Sequence, residues 1–350
     1  MLPERAPLTG KDLQRAEALL DELWAAGRKL LGTRYAILGG AMTWVSERNL
    51  VAALSNAGAF GVLATGSMSP AQLDAEIAAT FALTSQPFGV NLITLHPELP
   101  ALIDVCVARK VSHVVLAGGV PKGADVKRVK EGGPRVLVFA PAIALAHRLA
   151  RAGADGIIIE GNEAGGHIGP VATSVLAQEI LPHVRDIPVF VAGGIGRGAA
   201  IAMYLEMGAS GCQLGTRFVC AAESIAHPKC KQAFIHAQAR DAIPSVQVDP
   251  QFPVIPVRAI QNAGTRRFVQ FQREVIDDFK SGRLDHAAAQ LKIEHFWAGQ
   301  LRNAVINGDV ENGSLMAGQS VGMVTRVQPT AEIVSELVSE AVTALARRGY

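Results

Sequence analysis

The chain is poor in the residues that build several protein classes. It has four cysteines in 350 residues, Cys106, Cys212, Cys220 and Cys230, and no two of them form a CxxC pair. That spacing excludes a disulfide-stapled scaffold and a zinc ribbon, and a reducing compartment is expected. Aromatic residues make up 5% of the chain, and the formal net charge is only +2. Lys and Arg are scattered, so no basic stripe with interleaved aromatics marks a nucleic-acid surface. No uncharged apolar run approaches the roughly 20 residues of a membrane helix. The first 32 residues are charged throughout and lack the apolar stretch of a secretory signal, so a cytoplasmic location is expected.

Apolar residues and glycine are abundant. Apolar side chains form 49% of the sequence, and the 35 glycines fall mostly after short apolar runs. Eight such runs predict strands at Tyr35–Leu38, Gly61–Ala64, Phe88–Asn91, His113–Leu116, Val136–Phe139, Gly156–Glu160, Val189–Ala192 and Gly211–Leu214. Between them, Ala-rich amphipathic stretches predict helices near 47–57, 70–83, 98–109, 123–131, 142–152, 173–184 and 198–207. Continuous Val/Ile runs without a polar alternation imply burial on both faces, which means parallel strands with helical crossovers. Eight βα units predict a closed α/β TIM (β/α)8 barrel rather than an open sheet.

Such a barrel takes roughly 250 residues, which leaves about a hundred to place. Residues 1–32 read as a helical extension, with Leu13, Ala16, Leu20, Leu23 and Ala26 at helical spacing over 11–31. The barrel is expected over 33–226. Residues 227–312 lose the βα rhythm and read as an inserted, mainly helical subdomain. Residues 313–350 read as a return segment and the last barrel helix, with an amphipathic pattern over 331–348.

In a barrel of this kind chemistry sits at the carboxyl ends of the strands. The seventh predicted strand runs into Gly193 and Gly194, and the eighth into Gly215 and Thr216, each opening a helix. Backbone amides bared by glycine, at a helix N-terminus, form a phosphate site, and these two loops are where barrels place it. A single phosphate ester, FMN or a sugar phosphate, suits the pair; the alternative is tight turns only. The sixth strand ends at Glu160 and leads through Gly165 and Gly166 to His167. An imidazole among glycines is free to meet a ligand and titrates near neutrality; the alternative is a loop histidine bonded to a carbonyl. The remaining histidines read as structural or surface residues. Asn91, at the end of the third strand, offers an amide to a flat ring or closes an Asx-turn. Gly40, Ala41 and Met42 after the first strand leave room for such a ring. No second cluster of ligands completes a metal site around Glu160, Glu163 and His167, so none is expected. No cysteine has a base partner in sequence.

These residues carry a resemblance. Pro87–Asn91, Glu160–Gly169, Ala192–Ile195, Gly215–Phe218 with His227 and Pro228, and Gly308–Val310 leading to Ser314–Gln319 resemble the nitronate monooxygenase (2-nitropropane dioxygenase) family. They are at least as similar to its sister, the flavin-dependent enoyl-acyl-carrier-protein reductase II. The resemblance runs over nearly all of 33–345. It implies FMN on a TIM barrel, with ring contacts at Gly40, Ala41, Met42 and Asn91 and phosphate contacts at Gly193, Gly194, Gly215 and Thr216. It implies that His167 is the active-site histidine, that Glu160, Gly165 and Gly166 of its loop bind the cofactor, and that Gly318 and Gln319 close over the flavin. One departure stands out: the family's Gln-Gly-Gly-Met is Gly39, Gly40, Ala41 and Met42 here, so the glutamine's contacts are missing. The resemblance implies oxidation of alkyl nitronates with O2 to carbonyl compounds and nitrite. An NAD(P)H-dependent enoyl-thioester reductase and an NADH:quinone reductase are its alternatives. A small-molecule substrate is expected, with no nucleic-acid or membrane partner; a homodimer is one assembly to test.

Overall fold

The computed structural model describes residues 7–297 and 299–349; residues 1–6, part of the expected extension, and Tyr350 lie outside them. Two helices, α1 (Gly10–Leu23) and α2 (Ala25–Leu31), come first. The expected single helix over 11–31 is broken at Trp24, whose backbone leaves helical values. The turn buries the indole ring, 1% exposed, against Tyr35, and its N–H bonds back to Asp21.

The barrel then runs β1 (Ile37–Gly39), α3 (Arg48–Asn56), β2 (Phe60–Ala64), α4 (Pro70–Leu83), β3 (Gly89–Ile93), α5 (Leu99–Ala108), β4 (His113–Ala117), α6 (Gly123–Glu131), β5 (Arg135–Phe139), α7 (Ile143–Arg151) and β6 (Gly156–Glu160). A two-residue strand, β7 (Gly166–His167), precedes α8 (Thr173–Ile180), β8 (Val189–Ala192), α9 (Gly198–Glu206), β9 (Gly211–Leu214) and the short α10 (Thr216–Val219). The TIM barrel is closed in the order β1-β2-β3-β4-β5-β6-β8-β9, and all its pairings are parallel. β1, β2, β8 and β9 are buried along their whole length, so each strand is held by side chains on two faces. Helix starts are written locally: at α4, Ser69 accepts from the Gln72 amide while Gln72 bonds back, and Pro70 supplies a preset φ.

Beyond α10 come α11 (Pro228–His236), β10 (Ala242–Pro244), β11 (Val257–Ile260), α12 (Ala263–Lys280), α13 (His286–Glu294), α14 (Gln300–Val305) and α15 (Thr330–Ala346). Helix α15 packs against α9, α1 and α3, which puts it in the gap between the seventh and first helices of the ring. The segment between α10 and α15 has a small core of its own around Phe252, Phe268, Val275 and Ile276. It is not helical throughout. β10 and β11 pair antiparallel, and β11 pairs with β7, so this sheet takes one strand from the loop after β6. No helix among the described residues is long and apolar enough to cross a membrane.

Candidate active site

The loops after β6, β8, β9 and β1 meet at the carboxyl end of the barrel, tied by a short chain of contacts. Gly193 and Gly194 follow β8 with φ of +99° and +73°, a backbone that glycine adopts without strain. There is no room for side chains: a Cβ on Gly194 would lie 2.8 Å from the Glu163 Cβ, and one on Gly193 would lie 2.9 Å from Thr173 Oγ1. The Glu163 carboxylate accepts from both the backbone N–H and the hydroxyl of Thr173, each at 2.7 Å. Thr173 opens α8, where a carboxylate also favours the helix dipole. The Gly161 amide donates to the Ala192 carbonyl at 3.1 Å, which fixes the sixth and eighth strand ends to each other.

The return segment closes the chain of contacts. The Gly318 amide donates to Thr216 Oγ1 at 2.9 Å, and the Gln319 amide donates to the Glu163 carbonyl at 2.9 Å. Gly165 lies against this segment so closely that a Cβ would stand 2.6 Å from Ala317 C and Gly318 N. Met42 reaches the ninth strand's exit, its sulfur 3.4 Å from where a Gly215 Cβ would be. Gly40 donates to the Leu214 carbonyl and accepts from Ser46 Oγ, which in turn accepts from the Met42 amide. Gly40, Ala41, Met42, Gly165, Gly193, Gly194, Gly215, Thr216, Gly318 and Gln319 are therefore brought together. Gly193 and Gly194 lie just before the N-terminus of α9, and Gly215 just before that of α10, with no room for larger side chains at the first two; bare backbone of this kind suits an anionic group such as a phosphate.

Asn91 stands apart, four strands from β8 on the far side of the barrel. It is buried, donates through Nδ2 to the Val115 carbonyl at 3.3 Å, and is followed by two more strand residues. Its carbonyl accepts from Thr65 Oγ1. Glu160 ends β6 opposite Ala192, and burial pushes its carboxyl up to about 7. Gly166 has φ +78° and leads into His167. His167 is exposed, as expected of a residue at the barrel mouth, but it is held on a strand: its backbone pairs with Val257. Partial desolvation lowers its pKa below the usual histidine value.

Three residues were not singled out by sequence. Gln213, buried in β9, lays its side-chain amide beside Gly40; a polar residue in an apolar strand was the available signal. Thr173 pins Glu163. Arg258 of β11 donates to the Asn162 and Ala242 carbonyls at 2.8 and 2.6 Å, anchoring the small sheet to the β6 loop. The four cysteines are buried, and desolvation raises every thiol, to about 12 for Cys106, Cys220 and Cys230, which removes them as nucleophiles. His113, bonded to the Leu30 carbonyl and Ser112, is structural. Among the described residues no three His, Cys, Asp or Glu side chains gather as metal ligands do.

The same chain is similar to known proteins along nearly its whole length. The family described as nitronate monooxygenase matches over residues 26–102 and 99–340. A 5-hydroxy-7a-methyl-1-oxo-octahydro-1H-indene-4-carboxyl-CoA dehydrogenase of Rhodococcus jostii is 29% identical, over 92% of this chain and 97% of the relative. A probable nitronate monooxygenase of Staphylococcus aureus is 27% identical, over 91% and 98%. The solved structure of FabK from Thermotoga maritima superposes with a TM-score of 0.80 at 34% identity, covering 90% of this chain and 94% of that one.

Proposed function

This chain belongs to the nitronate monooxygenase family, and from that premise we propose that it is an FMN-dependent oxidoreductase that oxidises alkyl nitronates with O2 to carbonyl compounds and nitrite. Its relatives are named as oxidoreductases. One observation carries the reading: the glycine cradle after β8 and β9 is tied, through Thr216, Gly318 and Gly165, to the loop that presents His167.

In this reading Gly193, Gly194, Gly215 and Thr216 hold the phosphate of FMN by backbone amides. Gly40, Ala41 and Met42 face the ring, Asn91, committed to the Val115 carbonyl on the far side of the barrel, stays out of that contact set, and Gln213 supplies an amide beside Gly40 in place of the family's missing glutamine. Glu160, Gly165, Gly166, Gly318 and Gln319 complete the enclosure. When bound, FMN supplies the electron transfer between substrate and oxygen. The protein's part is to bind, orient and set charge. Partial desolvation disfavours the charged form of His167, and a neutral imidazole offers one ring N–H to the negative oxygens of a nitronate.

A second reading shares the site. A thioester enolate, like a nitronate, is a carbanion whose charge rests on oxygen, and His167 meets it in the same way. The 34% identity to FabK and the CoA dehydrogenase relative favour an NAD(P)H-dependent reductase acting on an acyl thioester. Anaerobic stopped-flow with propyl nitronate, NADH and NADPH in turn separates the two. Rapid bleaching of the yellow colour by nitronate supports the first. Bleaching by a reduced nicotinamide but not by nitronate replaces it with the second.

A further inference from the structure

A cavity of about 250 Å³ lies between the three-stranded sheet and α12. Its sheet wall is Ile243, Val257 and Ala259, and Phe268, Val269 and Trp297 face them. The strand registers connect this wall to the active-site loop. His167 pairs with Val257, and Ala259 pairs with Ile243. Residues directly opposite in an antiparallel pair leave the sheet on one face, and residues two apart on a strand share a face. His167, Val257, Ala259 and Ile243 therefore project from the same side. The intervening Arg258 goes to the other side, where it holds the Asn162 and Ala242 carbonyls. The cavity wall thus begins at the strand neighbour of the histidine and crosses one further strand spacing, so that it ends about 10 Å, two spacings, from the histidine's strand. The one charged residue of the lining, Arg266, is exposed.

We propose that this cavity is the subsite for the substrate's hydrocarbon tail, a saturated chain of up to about eight carbons whose reactive head sits at His167. The proposal rests on the reading of His167 as the residue that meets substrate. A water's share of liquid volume is about 30 Å³, so the space holds roughly eight groups of that size. The lining is mainly apolar, with Ser245, Gln261, Thr265, Arg266 and Ser314 as its polar members; an apolar wall favours an apolar ligand, and the cross-strand neighbour of His167 is close enough for head and tail to span both places.

The test is isothermal titration of the purified protein with neutral 1-nitroalkanes from nitroethane to nitrodecane, which bind without a nitronate to oxidise. Kd should fall about four-fold per added methylene and level off near eight carbons, an overall ratio on the order of 10³ between nitroethane and nitrooctane. Ala259→Phe fills the space and should collapse that ratio to below about ten. Should that variant fail to fold, Val269→Trp fills it from the helix side. A Kd independent of chain length, or an undiminished ratio in a folded filled variant, overturns the tail subsite. Its fate is separate from that of nitronate oxidation: a protein inert to nitronates that keeps the chain-length ratio, and loses it in Ala259→Phe, sinks the oxidation and supports the subsite.

Discussion

Glu160→Gln should make the protein more stable at alkaline pH, and the size of the gain follows from burial. The Glu160 carboxyl has an ordinary value of 4.5 and is raised to about 7 in the fold, with desolvation as the cause. The folded state therefore holds a proton that the unfolded chain releases between these values, so stability falls as pH rises from 4.5 to 7. Above pH 7 the full penalty applies: about 2.5 pH units at 1.36 kcal/mol each, or about 3 kcal/mol. At pH 5 less than about 1 kcal/mol of it has developed. Glutamine keeps the shape and carries no charge, so the variant should gain about 3 kcal/mol at pH 8 and under 1 kcal/mol at pH 5. Urea unfolding of both proteins at the two pH values, followed by far-UV circular dichroism, reads this difference. A gain that is the same at both pH values refutes burial of an ionisable, uncompensated carboxyl at this strand end. A group kept at such a cost is the kind that active sites retain against stability.

Three other outcomes are expected. His167→Ala should keep its yellow colour and lose about 10²–10⁴-fold in turnover, the usual worth of a positioned acid–base group; unchanged turnover removes the imidazole from the mechanism. Gly165→Ala forces the Ala317–Gly318 backbone away from the β6 loop; a loss of about 1–3 kcal/mol from overpacking, together with weaker flavin retention, should appear in thermal unfolding and absorbance at 450 nm. His113, buried and lowered from 6.5 to about 4, binds its proton only in the unfolded chain between those values, so its contribution is full above pH 6.5 and falls by about 3 kcal/mol by pH 4. This slope opposes that of Glu160, so it must be read as the difference between wild type and His113→Gln; a difference without pH dependence contradicts it.

The barrel was legible because its signal is local. Runs such as Gly156–Glu160 and Val189–Ala192 are buried on two faces, so their apolar character is continuous and their ends are marked by glycine. The glycine pair after β8 and the Gly215–Thr216 step after β9 were legible for the same reason. What escaped depends on partners far away in sequence. β7 is two residues long, and β10 and β11 are three and four, too short for a period; each exists because Arg258 and the β6 loop hold it in place. The break at Trp24 follows from burying one indole against Tyr35, which no helical pattern over 11–31 announces. Gln213 looked like one more strand residue until β9 was set beside Gly40.

The most direct measurement is a crystal structure of the purified protein with FMN added. The account predicts one phosphate within hydrogen-bond distance of the Gly193, Gly194, Gly215 or Thr216 amides and the ring in reach of His167. A phosphate seated elsewhere, or a ring on the far side of the barrel mouth from His167, contradicts it.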